Sequence, residues 1–271
     1  MRIKLGIKMK SKQILIAISL MSAVMGSHSA LAATIDVTYA GSANFGSGAV
    51  GYNTGQVAPN PNSNTNLVSV GIGGDSFTSA NHTYDFSSTG QFNTWCVDIY
   101  HWLSGGTVTY NVATGAELAT SLSFLRPGTP DGTTRVSQLG QLANQVYSSV
   151  DTTNESAAFQ LAVWAITYGI TEGGLYRINT TNTGFKVDSG TANSAYGVMA
   201  DTWLHNLGSA AATGNYNLTY LNDGTANNTQ DMVVFTTGLP PKLITVPEPT
   251  TLALLGLGLA GLGFSRRKYV S

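Results

Sequence analysis

The sequence predicts an α+β domain: a β-sheet or sandwich framework with an inserted layer of about three helices, an N-terminal signal and a C-terminal apolar helix. Three observations predict it. Short runs of apolar and polar residues in alternation recur early and late in the chain. The middle changes to a helical period. Charge-poor apolar stretches with basic flanks occupy the two ends.

The elements follow in order. Residues 35–39 (Ile-Asp-Val-Thr-Tyr) and 67–72 (Leu-Val-Ser-Val-Gly-Ile) alternate as strands do. Between them, 41–66 is dominated by Gly, Asn, Pro and Ser and is expected to be loop. Residues 92–99 read as a strand with Cys96 in its middle, and 107–112 as another after the Gly105-Gly106 turn signal. Apolar residues at 136, 139, 142–143 and 146–147 predict a helix. A second is expected over 154–168, with Thr153 or Asn154 as N-cap, Glu155 in the first turn and Gly169 beyond the end. It is apolar on most faces, which places it centrally in the core. A third helix is expected over 194–207, stopped by Gly208, and strands return at 216–221 and 232–236.

The two ends carry handling signals. Arg2, Lys4, Lys8, Lys10 and Lys12 precede the apolar stretch 14–24, and Ala30-Leu31-Ala32 supplies an A-x-A site, so cleavage is expected between Ala32 and Ala33. At the other end, residues 250–264 form an uncharged Leu/Gly/Ala span. At 15 residues it is shorter than the ~20 a straight spanning helix needs. The expected organisation is a leader over 1–32, one α+β domain over 33–240, and a linker with tail over 241–271.

Val246-Pro247-Glu248-Pro249, the apolar span and the basic stop Arg266-Arg267-Lys268 together resemble the PEP-CTERM sorting signal of Gram-negative bacteria. The resemblance implies export across the inner membrane and recognition by an exosortase-type membrane transpeptidase, in organisms that make an exopolysaccharide matrix. It also implies a cell-envelope, outer-surface or matrix address, with transient membrane contact through the tail.

With leader and tail set aside, the body is acidic. Between Ala33 and Thr245 only Arg126, Arg135, Arg177, Lys186 and Lys242 face 13 of the 14 acidic residues, a balance of about −8. A basic nucleic-acid surface is therefore not expected. One cysteine excludes an intramolecular disulfide. His82, His101 and His205 are scattered outside metal-ligand spacing, so neither metal nor cofactor is expected.

That cysteine, Cys96 in Thr-Trp-Cys-Val-Asp, and Gln160 in Phe-Gln-Leu-Ala-Val-Trp are the two blocks that carry chemistry. In this order they resemble the thioester domains of bacterial surface adhesins. The resemblance implies an internal bond with sulfur from Cys96 and the acyl carbon from Gln160, shielded by Trp95, Trp164 and Tyr168. Its expected role is covalent, non-enzymatic attachment to an amine-bearing partner. The alternative is a passive structural or carbohydrate-binding component of the exopolysaccharide matrix, with Cys96 a small hydrophobe and Gln160 bonded to backbone. Asp98 and His101 also invite a Cys-His-Asp reading, but alternation along a strand turns His101 away from Cys96. Tyr52, Trp102, Tyr110 and Tyr176 are the aromatics available to stack on sugar rings.

Overall fold

The computed structural model describes residues 34–237 except 43, 46–47, 50–52, 60–66, 80–85, 88, 104, 126–129, 183 and 225–228. The leader with its site at Ala32 and Ala33, the linker, and the tail with Pro247, Glu248, Pro249, Arg266, Arg267 and Lys268 lie outside the described residues, as do Tyr52 and His82. Among the described residues no helix is long and apolar enough to cross a membrane.

Six antiparallel strands close into a barrel. In spatial order they are β1 (Thr34–Ser42), β6 (Asp75–Ser79), β7 (Gln91–Cys96), β11 (Met232–Thr237), β10 (Tyr216–Asn222) and β8 (Thr107–Ala113), which returns to β1. Closure rests on the register of Ile35 with Tyr110 and Val37 with Val108. The expected sandwich is thus a barrel, because alternation reports which face is buried but not whether the last strand finds the first. Closure also removes the sheet edges that an open sandwich must protect. Pleating puts Ile35, Val37, Phe92, Tyr110, Leu221, Met232 and Val234 in the barrel's buried filling. Trp95, Val233 and Phe235, on the opposite faces of β7 and β11, join a second core under the helices.

A smaller sheet orders β5 (Val68–Ile72), β4 (Asn53–Pro59) and β9 (Phe185–Val187), and β2 (Asn44–Phe45) pairs with β3 (Gly48–Ala49). Three of these strands fall in the stretch expected to be loop. β4 lacks a strong apolar pattern, and its strand state comes from ladders on both sides and from Val57, which is fully buried.

The helices are α1 (Gly115–Leu125), α2 (Gly132–Val146), α3 (Thr153–Tyr168), the single turn α4 (Ser189–Ala192) and α5 (Ala195–His205). α2, α3 and α5 match the three expected helices. α1 was not expected, although Leu118 and Leu122 sit one turn apart on its buried face. α3 is the centre of the second core, with 13 of its 16 residues buried and only its first turn outside. It packs against α2, α5, β7 and all three strands of the small sheet. Its N-cap is Thr152, one residue before those expected. The Thr152 hydroxyl accepts the Glu155 N–H, and the Glu155 carboxylate reaches back to the Thr152 N–H in a capping box.

Candidate functional site

The site forms where β7 ends. β6 and β7 pair as far as Asp75 with Thr94, after which no β6 residue faces the β7 edge. Cys96, the last residue of β7, therefore presents its N–H and C=O to α3. The expected strand over 92–99 stops here. Val97 gives its N–H to Asp231 O at 3.0 Å, and the chain then turns at Asp98.

α3 meets that edge with one row of side chains. Ser156, Gln160, Trp164 and Tyr168 recur every four residues, a spacing that stacks them along one side of a helix. Ser156 Oγ accepts the Gly74 N–H at 2.9 Å. Gln160 Oε1 accepts the Cys96 N–H at 3.0 Å, and its Nε2 donates to Cys96 O at 2.8 Å. Tyr168 donates its hydroxyl to Val97 O at 2.9 Å and accepts the Ile99 N–H at 3.2 Å. A carboxamide turns a donor and an acceptor to the same side, as one residue of a neighbouring antiparallel strand does. Gln160 thus stands in for the missing strand.

The Cys96 sulfur lies between this row and the turn. Cys96 is buried, and its thiol donates to Asp98 O at 2.9 Å. Burial pushes the thiol pKa well above its ordinary value. The Trp164 indole opposes that shift, the Asp98 and Asp75 carboxylates reinforce it, and the Asp98 backbone opposes it. Trp164 Nε1, also buried, has no acceptor in hydrogen-bond geometry, although it is near enough to the sulfur to favour a thiolate. An unsatisfied buried N–H costs about 1–3 kcal/mol.

The three expected shielding residues are all buried, but in different places. Trp164 and Tyr168 belong to the α3 row. Trp95 points from the opposite face of β7, its ring 4.6 Å from Phe159 and its Nε1 donating to Tyr147 at 3.2 Å. A β-carbon at Gly74 would stand 2.8 Å from that indole, so the close approach of β6 requires glycine. Tyr100, from the turn after β7, covers Tyr168 edge-on with ring centroids 5.7 Å apart.

Asp98 and His101 depart from the strand-based expectation. Because β7 has ended, the turn brings them together: His101 Nδ1 bonds Asp98 Oδ2, while Asp98 Oδ1 accepts the Tyr100 N–H at 2.9 Å. Of the stacking aromatics, Tyr110 and Tyr176 are buried and hydrogen-bonded to Gln230 O and Gln138 Oε1, so neither offers a ring face to a sugar. Trp102 is 67% exposed. Ser156 was missed, although it carries the signal that singles out Gln160: a polar side chain inside an apolar helix, one turn earlier. Among the described residues no group of three His, Cys, Asp or Glu could hold a metal ion.

Tyr168→Phe keeps the ring and removes both bonds to the turn. It is expected to lower stability by about 1–3 kcal/mol, since Val97 O loses its donor in a buried site. Urea unfolding measures the loss, and an unchanged midpoint would show that the hydroxyl pins nothing.

Residues 245–268 match the PEP-CTERM protein-sorting motif, which implies export, sorting to the cell surface and processing by an exosortase. No curated protein matches the chain. The structure is similar to the N-terminal thioester domain of the fibronectin-binding protein SfbI from Streptococcus pyogenes. The two share 10% sequence identity and a TM-score of 0.37, over 61% of this chain and 87% of that one.

Proposed function

We propose that this exported, tail-sorted protein attaches covalently to amine-bearing partners at the cell surface or in the surrounding matrix, through an internal thioester between Cys96 and Gln160. The observation that carries this reading is the two-point seating of the Gln160 carboxamide on the backbone of Cys96 itself. That seating holds the electrophile beside the nucleophile's own residue, and positioning of this kind supplies much of the barrier reduction in intramolecular reactions.

The chemistry balances without a cofactor. The Cys96 sulfur attacks Gln160 Cδ, and charge develops on Oε1, where the Cys96 N–H already points as an oxyanion donor. The C–N bond breaks, and the thiol proton leaves with the nitrogen as ammonia. A partner amine later attacks the same carbon. The C–S bond breaks, an amide joins the two molecules, and the proton lost by the amine returns the sulfur to the thiol. Each chain reacts once, so the protein is consumed and does not turn over. Burial of Cys96 and Gln160 supports survival of the bond in water, because the acyl carbon is reached only by what displaces its cover.

Intact mass of the full chain tests the reading. The thioester form is expected to be lighter by one ammonia and to gain one methylamine on incubation with it. The passive alternative, in which Gln160 only completes the β7 ladder, gives full mass and no adduct. That outcome would retire the covalent reading.

A further inference from the structure

We propose that the Trp164 indole N–H is the hydrogen-bond donor to the Cys96 sulfur whenever that sulfur is charged, both as it attacks Gln160 and as an amine expels it. The inference rests on the thioester reading above.

Three observations place the donor. Trp164 follows Gln160 by one helical turn on the row that faces β7, so the two side chains reach the end of that strand together. Its Nε1 is buried without an acceptor, whereas Ser156, Gln160 and Tyr168 on the same row are all bonded. The Cys96 thiol is engaged elsewhere in its neutral form, donating to Asp98 O.

Loss of the thiol proton reverses that last preference. A thiolate has nothing to donate, so the Asp98 carbonyl changes from partner to repellent dipole. The charges bearing on the sulfur, Asp98 and Asp75, are also negative, and Asp98 is itself bonded to His101. Trp164 opposes them and is the strongest influence favouring the thiolate. A donor idle in the neutral state and engaged in the charged one lowers the barrier, because only interactions stronger in the transition state accelerate a step. The same N–H serves both directions: it receives the attacking thiolate as ammonia is formed, and the departing thiolate before a proton returns it to Asp98 O.

The test replaces the N–H and keeps the shape. The full chain carrying 3-benzothienylalanine at position 164 retains a bicyclic ring with sulfur in place of N–H. Its melting temperature is expected to match that of the natural chain, while methylamine opening, followed by intact mass, slows by about ten- to a hundredfold. After opening, the pH midpoint for iodoacetamide alkylation of Cys96 is expected to move upward, a change that loss of packing alone would not give. Trp164→Phe, a second variant, should show the same slow aminolysis together with faster spontaneous hydrolysis, which separates the donor from the cover. Equal opening rates in the analogue and the natural chain would overturn this inference and leave the thioester standing. Full mass in the natural chain would overturn both.

Discussion

Cys96→Ala is expected to abolish methylamine capture at a cost of only about 1–2 kcal/mol, whereas Gln160→Ala abolishes capture and costs about 3–5 kcal/mol. Both variants remove a partner of the proposed bond, so a purely chemical view would make them equivalent. The geometry makes them unequal. Gln160 bonds the main chain of residue 96, and those bonds survive when the side chain there is shortened to a methyl group. Removing the carboxamide instead leaves the N–H and C=O of Cys96 unpaired at a buried strand end and opens a cavity inside α3's packing face. For a domain of this size the difference corresponds to a melting temperature about 5–10 °C lower for Gln160→Ala than for Cys96→Ala. Thermal unfolding of the two variants checks it. Equal melting temperatures would show that Gln160 does not complete the ladder. The comparison also exposes what thioester formation gives up. The nitrogen that leaves is the donor to Cys96 O, so closing the covalent bond removes one of the two hydrogen bonds that positioned it.

The sequence carried the pieces of this site better than their arrangement. α3 was legible because its apolar run, acidic first turn and following glycine agree with one another, and a helix buried on most faces has few other places to go. Cys96 and Gln160 stood out as a lone thiol and a polar side chain without an evident surface. The end of β7 was not legible. Val97 and Ile99 continue the apolar alternation past Cys96, and the strand stops because β6 diverges, a tertiary event with no local mark in the chain. That divergence explains why Gln160 is needed and why His101 meets Asp98 instead of facing away. In the sequence Trp164 reads as cover, because its apolar neighbours hide the question of where its N–H goes. β4 was missed for the opposite reason: its Asn, Gly and Pro signal a turn, and two neighbouring strands override the signal.

Arg135→Met is expected to destabilise the protein by about 3 kcal/mol and to loosen the site from a distance. Arg135 is one of the few cations in the body, yet it is buried on α2 and not displayed at the surface. Its guanidinium donates to Ile166 O and, at 2.9 Å, to Gly169 O, while its Nε donates to Pro130 O at 3.0 Å. It also lies 6.0 Å from the centre of the Tyr176 ring. Two of those carbonyls belong to the C-terminal end of α3, where intrahelical donors run out and a positive charge is favourable. Methionine keeps an unbranched apolar stem, though a shorter one, and removes every donor. Lysine keeps the charge but not the planar fork, so Arg135→Lys is expected to recover only part of the loss. The consequence for function follows from position: the last turn of α3 carries Tyr168, which ties Val97 and Ile99 over Cys96. If Arg135 holds that turn, Arg135→Met should speed hydrogen exchange at the Ile99 amide and shorten the lifetime of the thioester in water. Faster exchange with an unchanged lifetime would mean that the Tyr168 turn is not what keeps water from the bond.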